Sequence, residues 1–260
     1  MELEKTLLKL LPSFFRLPAK YYYHQLRHRL EKEIFYLHKL GIKNKRAIDI
    51  GANSGMYTYA LSRLSDVVEV FEPQVWCTKN IASYSKISSC QINIYNVGLA
   101  DFNGSLNLHI PLSEGDYSEL VQGLGKLTTG LGSFRELEGE QTTLKVPVHK
   151  LDDYNFQDVG FIKIDVEGFE SKVIAGASQT IIREKPIILM EVENRHLDGK
   201  SITDVFEQIS NMGYEGSFIH QGCLNKLAEF YPQIKEKQNY FLDAQLQNQY
   251  INNFIFQPIL

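Results

Sequence analysis

The apolar run Ala47-Ile48-Asp49-Ile50 stops at Gly51 and restarts a few residues later as a helix through Tyr57, Ala60, Leu61 and Leu64. No other stretch restricts the fold as much as this strand, turn and helix. The turn is built of Gly51, Ala52, Asn53, Ser54 and Gly55, small residues that let a ligand approach free backbone N–H groups at a helix start. The pattern then recurs. Strands are expected at 46–50, 67–72, 91–97, 160–165, 186–192 and 214–220, with helices at 55–64, 74–86, 168–183 and 201–212. Near-continuous apolar strands with helical crossovers imply an α/β domain, a mostly parallel sheet with helices on both faces. A last strand at 253–256 is expected beside 214–220 as an antiparallel edge.

Two regions depart from this alternation. Residues 104–110 and 143–148 alternate with period two and are expected to pair as a hairpin-like insertion. The loop between them, 111–142, is rich in Gly, Ser and Thr and is a candidate substrate lid. Residues 1–45 are expected to be a helical appendage to the domain at 46–260, with one helix near 3–15 limited by Pro12 and Pro18, and another at 21–40 capped by Gly41.

Charge divides the chain in the same place. Residues 1–46 hold eleven Lys/Arg against four Asp/Glu; the remainder holds sixteen against twenty-seven. The acidic body argues against nucleic acid as a partner. The basic segment, residues 1–40, is expected to act as a lid, as a homodimer element, or as a peripheral membrane contact, since basic and aromatic residues interleave around Lys20-Tyr21-Tyr22-Tyr23. No apolar run reaches the ~20 residues that span a bilayer. Lys9 and Pro12 interrupt the leucines of the N-terminus, which lacks a signal-peptide design. Cys77, Cys90 and Cys223 are too scattered for a disulfide framework or a zinc site, so a cytoplasmic location, at most peripheral to a membrane, is expected.

The turn also selects among ligands. Asn53 stands where a dinucleotide fingerprint needs its middle glycine, and Met56-Tyr57 where a P-loop needs Lys-Ser/Thr. Glu72, at the end of the second strand, lies at the distance from Gly51 that suits an acid taking both hydroxyls of a ribose. Asp49 would repel a pyrophosphate but can face an ammonium or a sulfonium. These features favour S-adenosylmethionine.

Asp49-Ile50-Gly51-Ala52-Asn53-Ser54-Gly55-Met56-Tyr57-Thr58, Phe71-Glu72-Pro73, Asn96-Val97-Gly98-Leu99-Ala100-Asp101, Leu151-Asp152-Asp153 and Ile162-Lys163-Ile164-Asp165-Val166-Glu167-Gly168-Phe169-Glu170 resemble, in order and spacing, the FkbM family of S-adenosylmethionine-dependent methyltransferases. Phe254–Pro258 looks like its closing strand. The resemblance implies a class I (Rossmann-like) methyltransferase fold with a seven-stranded sheet. It also implies, usually, methylation of a hydroxyl on a sugar or natural product, with S-adenosylhomocysteine as product. By this likeness Gly51, Ala52, Asn53 and Gly55 line the methionine end of the cofactor, and Tyr57 and Thr58 open the helix beneath it. Glu72, followed by Pro73, holds the ribose, and Asn96 with Val97 borders the adenine.

An alcohol has a pKa near that of water, ~15–16, so its methylation needs a base or a metal. Both belong at the carboxyl ends of the strands. Lys163, Asp165 and Glu167 alternate at one such end; Asp165 is expected to touch cofactor and substrate, with Lys163 as its structural ion pair. At the next, Glu191 and Glu193 are expected to share a face, and His196 follows on the loop. The catalytic candidates are Asp165, His196 and Glu193, with imidazole the natural base at neutral pH. His149 is an alternative base. No metal is expected; the alternative is Mg²⁺ on Asp165, Glu193 and Asn194, an incomplete oxygen set. The expected activity is O-methylation of a saccharide, glycolipid or secondary metabolite. Its rivals are an inactive scaffold with this fold and transfer to an amide or amine.

Overall fold

The computed structural model describes residues 8, 10–42, 45–111, 132–134, 141–197, 201–230 and 250–259. Most of the expected lid, and residues 3–7 and 9 of the helix expected near 3–15, therefore lie outside the described residues. The strands are β1 (Arg46–Ile50), β2 (Val67–Phe71), β3 (Gln91–Tyr95), β4 (Gly98–Leu99), β5 (Gly104–Pro111), β6 (Gln141–His149), β7 (Val159–Ile164), β8 (Ile187–Glu191), β9 (Tyr214–His220), β10 (Cys223–Lys226) and β11 (Asn253–Pro258). The α-helices among the described residues are α1 (Ser13–Leu26), α2 (Met56–Leu61), α3 (Lys79–Tyr84), α4 (Glu170–Gly176), α5 (Ser178–Glu184), α6 (Ile202–Ser210) and α7 (Leu227–Phe230).

The main sheet runs β10-β9-β11-β8-β7-β1-β2-β3. Strands β3, β2, β1, β7 and β8 are parallel, as their continuous apolar runs imply. The sheet has eight strands, where seven were expected. The extra one, β10, folds back on β9 because Gln221 and Gly222 both hold positive φ, 49° and 77°, a two-residue turn whose twist suits a hairpin. Strand β11 is antiparallel, as expected, but lies between β8 and β9 rather than at an edge. The segments at 104–111 and 141–149 pair antiparallel, and β4 adds a third, parallel strand to this separate small sheet.

The helix expected at 168–183 is broken into α4 and α5. A Cβ on Gly176 would lie 1.9 Å from the Ala100 carbonyl oxygen, and Ala177 leaves helical geometry at φ −113°, ψ 2°. Close approach to the loop after β4 bends the chain there.

The N-terminal segment also departs from expectation. Pro18 lies inside α1, which runs on to Leu26. Proline forfeits one backbone hydrogen bond, but Leu17 is buried and the Tyr21 ring packs 4.7 Å from that of Tyr59, so packing carries the helix through. His28 then turns the chain with φ 52°, and a 3₁₀ helix, Ile34–Lys39, replaces the second α-helix before Gly41, which has the left-handed φ expected of a cap, 71°. Leu17, Ile34, Leu37, Leu40 and Ile42 join the core that contains Ala47, Val68, Phe161 and Leu189. At roughly 2 kcal/mol gross for each buried aliphatic side chain, this segment is part of the domain's packing on that face. On the other face, Ile48, Ile50, Ile162 and Ile164 pack with Phe206 and Val173 of the helices.

Candidate active site

A cleft opens at the carboxyl ends of β1, β2, β7 and β8, and the first turn shapes its floor. Gly51, Asn53 and Gly55 all hold positive φ, at 76°, 47° and 87°. A Cβ at Gly51 would meet the Asp165 carbonyl oxygen at 1.7 Å, so only glycine lets the two strand ends approach. Glu72 anchors the turn: its carboxylate accepts the Asn53 N–H at 2.9 Å and the Gln74 N–H at 2.9 Å. Burial raises the Glu72 carboxyl to about 7, against the pull of those two N–H donors. Each carboxylate oxygen keeps a lone pair for a further donor, which is what a ribose diol offers.

Gly51, Asn53, Glu72, Pro73, Val97 and Asp165 line this cleft together with Phe71, Leu99 and Leu108. Other expected contacts lie beneath the wall rather than on it. The Thr58 hydroxyl is buried and donates to Asp49 at 2.5 Å, which fixes the turn from behind. Burial raises the Asp49 carboxyl to about 6, with the Thr58 hydrogen bond opposing. Ala52 is buried, and Gly55 packs against Ile81 and Leu17. Asn96 donates to the Glu72 carbonyl at 2.9 Å, so it braces the backbone at Glu72 and is not among the residues lining the cleft.

A cluster of charged groups centres on Lys163. Strand alternation puts Asp49, Lys163, Asp165 and Glu191 on one face of the sheet. The ammonium is buried, 3.6 Å from Asp165 and over the Tyr57 ring at 4.9 Å. Burial disfavours its charge, yet Asp165, Glu31, Glu191 and Asp49 outweigh this and hold it protonated. Asp165 keeps 30% of its side chain open and is raised by burial against the lysine's pull. Glu191 also lines the cleft and is raised well above the usual range by burial and by Asp165. The Tyr57 hydroxyl, expected at the cofactor, instead donates to Glu31 at 2.6 Å, and Asn253 reaches the same carboxylate at 3.2 Å. Glu31 brings the N-terminal segment to the edge of the site.

His196 is paired where the sequence shows no link. Its Nδ1 lies 2.7 Å from Oε2 of Glu167, which holds φ 50° just past β7 and lines the cleft. The carboxylate can only accept, so Nδ1 carries the proton and Nε2 is left as the basic nitrogen. At the start of the following helix it is Glu170 that accepts from the Gly168 N–H, at 2.9 Å. The Ser133 hydroxyl donates to the Glu167 carbonyl at 3.0 Å, and Gly132 and Phe134 close the cleft against Gln74 and Gly98.

Glu193 does not join them. Strand β8 ends at Glu191, and Glu193 turns to Arg195 and Asn252. Burial works against its charge, but Arg195 and Tyr250 hold it below the usual range. The Asn194 side-chain oxygen is taken by the Ile202 N–H at 3.0 Å. The alternative metal set therefore loses two of its three ligands to other partners. His149 pairs with the Tyr154 hydroxyl at 2.8 Å and is not among the residues lining the cleft.

The strand order, the glycine turn and the acid at the second strand end define a class I S-adenosylmethionine-dependent methyltransferase. The methyltransferase FkbM domain model matches residues 49–215, well over half of the chain, and the protein belongs to that family. It is 24% identical over 193 residues to the 2-O-methyltransferase NoeI of Sinorhizobium fredii, a match covering 66% of this chain and 77% of that one. The crystal structure of methyltransferase FkbM from Methylobacillus flagellatus superposes with a TM-score of 0.51 at 14% identity, covering 97% of this chain and 57% of that one. The chain thus spans little more than half of that structure's length, and the likeness is one of fold.

Proposed function

We propose that this methyltransferase acts on a hydroxyl oxygen of a saccharide-type acceptor, with His196 as general base and Glu167 holding it. The observation that carries the reading is the 2.7 Å contact of His196 with Glu167, which lines the cleft together with Asp165 and Glu191 and so ties the imidazole to its rim. The relative named as a 2-O-methyltransferase adds support for an oxygen acceptor.

When bound, S-adenosylmethionine supplies an electrophilic methyl carbon on a sulfonium. Gly51, Asn53 and Glu72 would hold its amino-acid and ribose parts. Asp165 and Glu191 would orient the acceptor by accepting from its neighbouring hydroxyls. Nε2 of His196 would take the proton of the acceptor hydroxyl, leaving that oxygen to receive the methyl group S-adenosylmethionine would supply, with S-adenosylhomocysteine as the leaving product. Glu167 fixes the imidazole tautomer and stabilises the imidazolium that forms.

Labelled S-adenosylmethionine, incubated with a panel of reducing and lipid-linked saccharides, tests the reading. A product carrying a new O-methyl resonance by NMR is expected. Label on amine or amide nitrogen, or none with any saccharide despite tight S-adenosylhomocysteine binding, would overturn it.

A further inference from the structure

Helix α1 has two unlike faces. Leu17 and Tyr21 turn inward, against Gly55, Ile81 and Tyr59. At about 100° per residue, Phe15, Tyr22 and Leu26 fall on one stripe roughly opposite Leu17. These three are 49%, 44% and 80% exposed, and Leu10 before them and Phe35 after them are exposed too. A surface helix of a globular domain ordinarily turns charge outward; this one turns aromatic and aliphatic side chains outward. Its cations take the flank between the two faces. Arg16 and Lys20 lie there, followed by Arg27 over the Tyr23 ring and Arg29 just beyond the helix end.

Charge decides between the occupants such a stripe could take. Residues 1–46 hold eleven Lys/Arg against four acids, and the rest of the chain is acidic. A two-fold pair of copies meeting on this stripe would press two basic segments together. An anionic bilayer offers the reverse: apolar depth for Phe15 and Leu26, an interfacial level for Tyr22, and opposite charge for the flank. Among the described residues no helix is long and apolar enough to cross a membrane, so the contact is one of lying on the surface.

We propose that the outer face of α1 binds anionic lipid surfaces, with Phe15, Tyr22 and Leu26 entering the interface and Arg16, Lys20, Arg27 and Arg29 facing the headgroups. This is independent of the identity of the methyl acceptor.

The test is flotation of the full chain with phosphatidylcholine vesicles, with and without phosphatidylglycerol. Binding is expected only with phosphatidylglycerol and should weaken as salt rises. Phe15→Ser with Leu26→Ser should lower partitioning tenfold or more, and Arg27→Gln with Arg29→Gln by roughly fivefold for each cation removed. S-adenosylhomocysteine affinity and the thermal midpoint should stay unchanged in both, which separates lost docking from lost folding. Three results would each overturn the proposal: equal binding to neutral vesicles, no binding to either kind, or binding indifferent to the serine pair. So would light scattering that shows a dimer dissolved by the same serine pair, since the stripe would then belong to a second copy.

Discussion

At the scale of single residues, Glu72 and the His196–Glu167 pair carry the account. Glu72 holds two backbone N–H groups while lining the cleft, so it shapes the turn and faces the ligand at once. Its carboxyl is raised to about 7 in the free protein. Ribose hydroxyls can donate only to the ionised form as its full partners, so binding should release a proton below that value. S-adenosylhomocysteine affinity, measured by calorimetry, should therefore fall as pH drops below about 7, by up to tenfold per unit, and level off above it. In Glu72→Gln the affinity should drop at least tenfold and this pH dependence should vanish. A slope that persists in the variant would assign it to another group. Glu72 was legible in the sequence because motif spacing sets it. Glu31 was not, and Glu167 was legible only as a strand-end acid: the pairings Glu31–Tyr57 and Glu167–His196 are made by tertiary packing that no local pattern encodes.

At the scale of elements, the alternation of strands and helices was legible because period and apolarity report burial directly. What escaped depended on contacts or on single turn residues. The hairpin of β9 and β10 rests on two positive φ angles at Gln221 and Gly222, and Gln is no turn signal. The break between α4 and α5 rests on Gly176 meeting the Ala100 carbonyl, a contact between distant segments. Gly176→Ala should force that strand loop and helix apart, at a cost of about 2–3 kcal/mol. The thermal midpoint should fall by roughly 5–10 °C, with S-adenosylhomocysteine affinity at saturation of folding little changed. A midpoint within a degree of wild type would mean the helix junction is not held by that approach. Pro18 shows the opposite balance: a helix breaker by rule, kept helical by the buried Leu17 and the Tyr21–Tyr59 contact.

At the scale of the whole molecule, buried carboxyls gather around the sheet's carboxyl edge with Lys163 buried among them. Burial raises Asp49 to about 6, and Glu33, Glu72 and Glu170 to about 7. A carboxyl raised above its unfolded value contributes stability that is present at acid pH and is lost as pH rises through the folded value. Glu193 and Glu184 are lowered and act oppositely, below about pH 4.5. The thermal midpoint of the ligand-free protein should thus be highest near pH 4.5 and decline as pH rises to about 7; a midpoint that rises over that interval would contradict this. S-adenosylhomocysteine should reduce the decline, because it favours ionised Glu72.

In the proposed reaction His196, held by Glu167, takes the proton of the acceptor. The most direct measurement is the turnover of His196→Ala at saturating S-adenosylmethionine, beside its S-adenosylhomocysteine affinity. A fall of ~10²-fold or more in kcat with unchanged affinity is the expected result. Turnover equal to wild type would remove His196 from the mechanism and contradict the account.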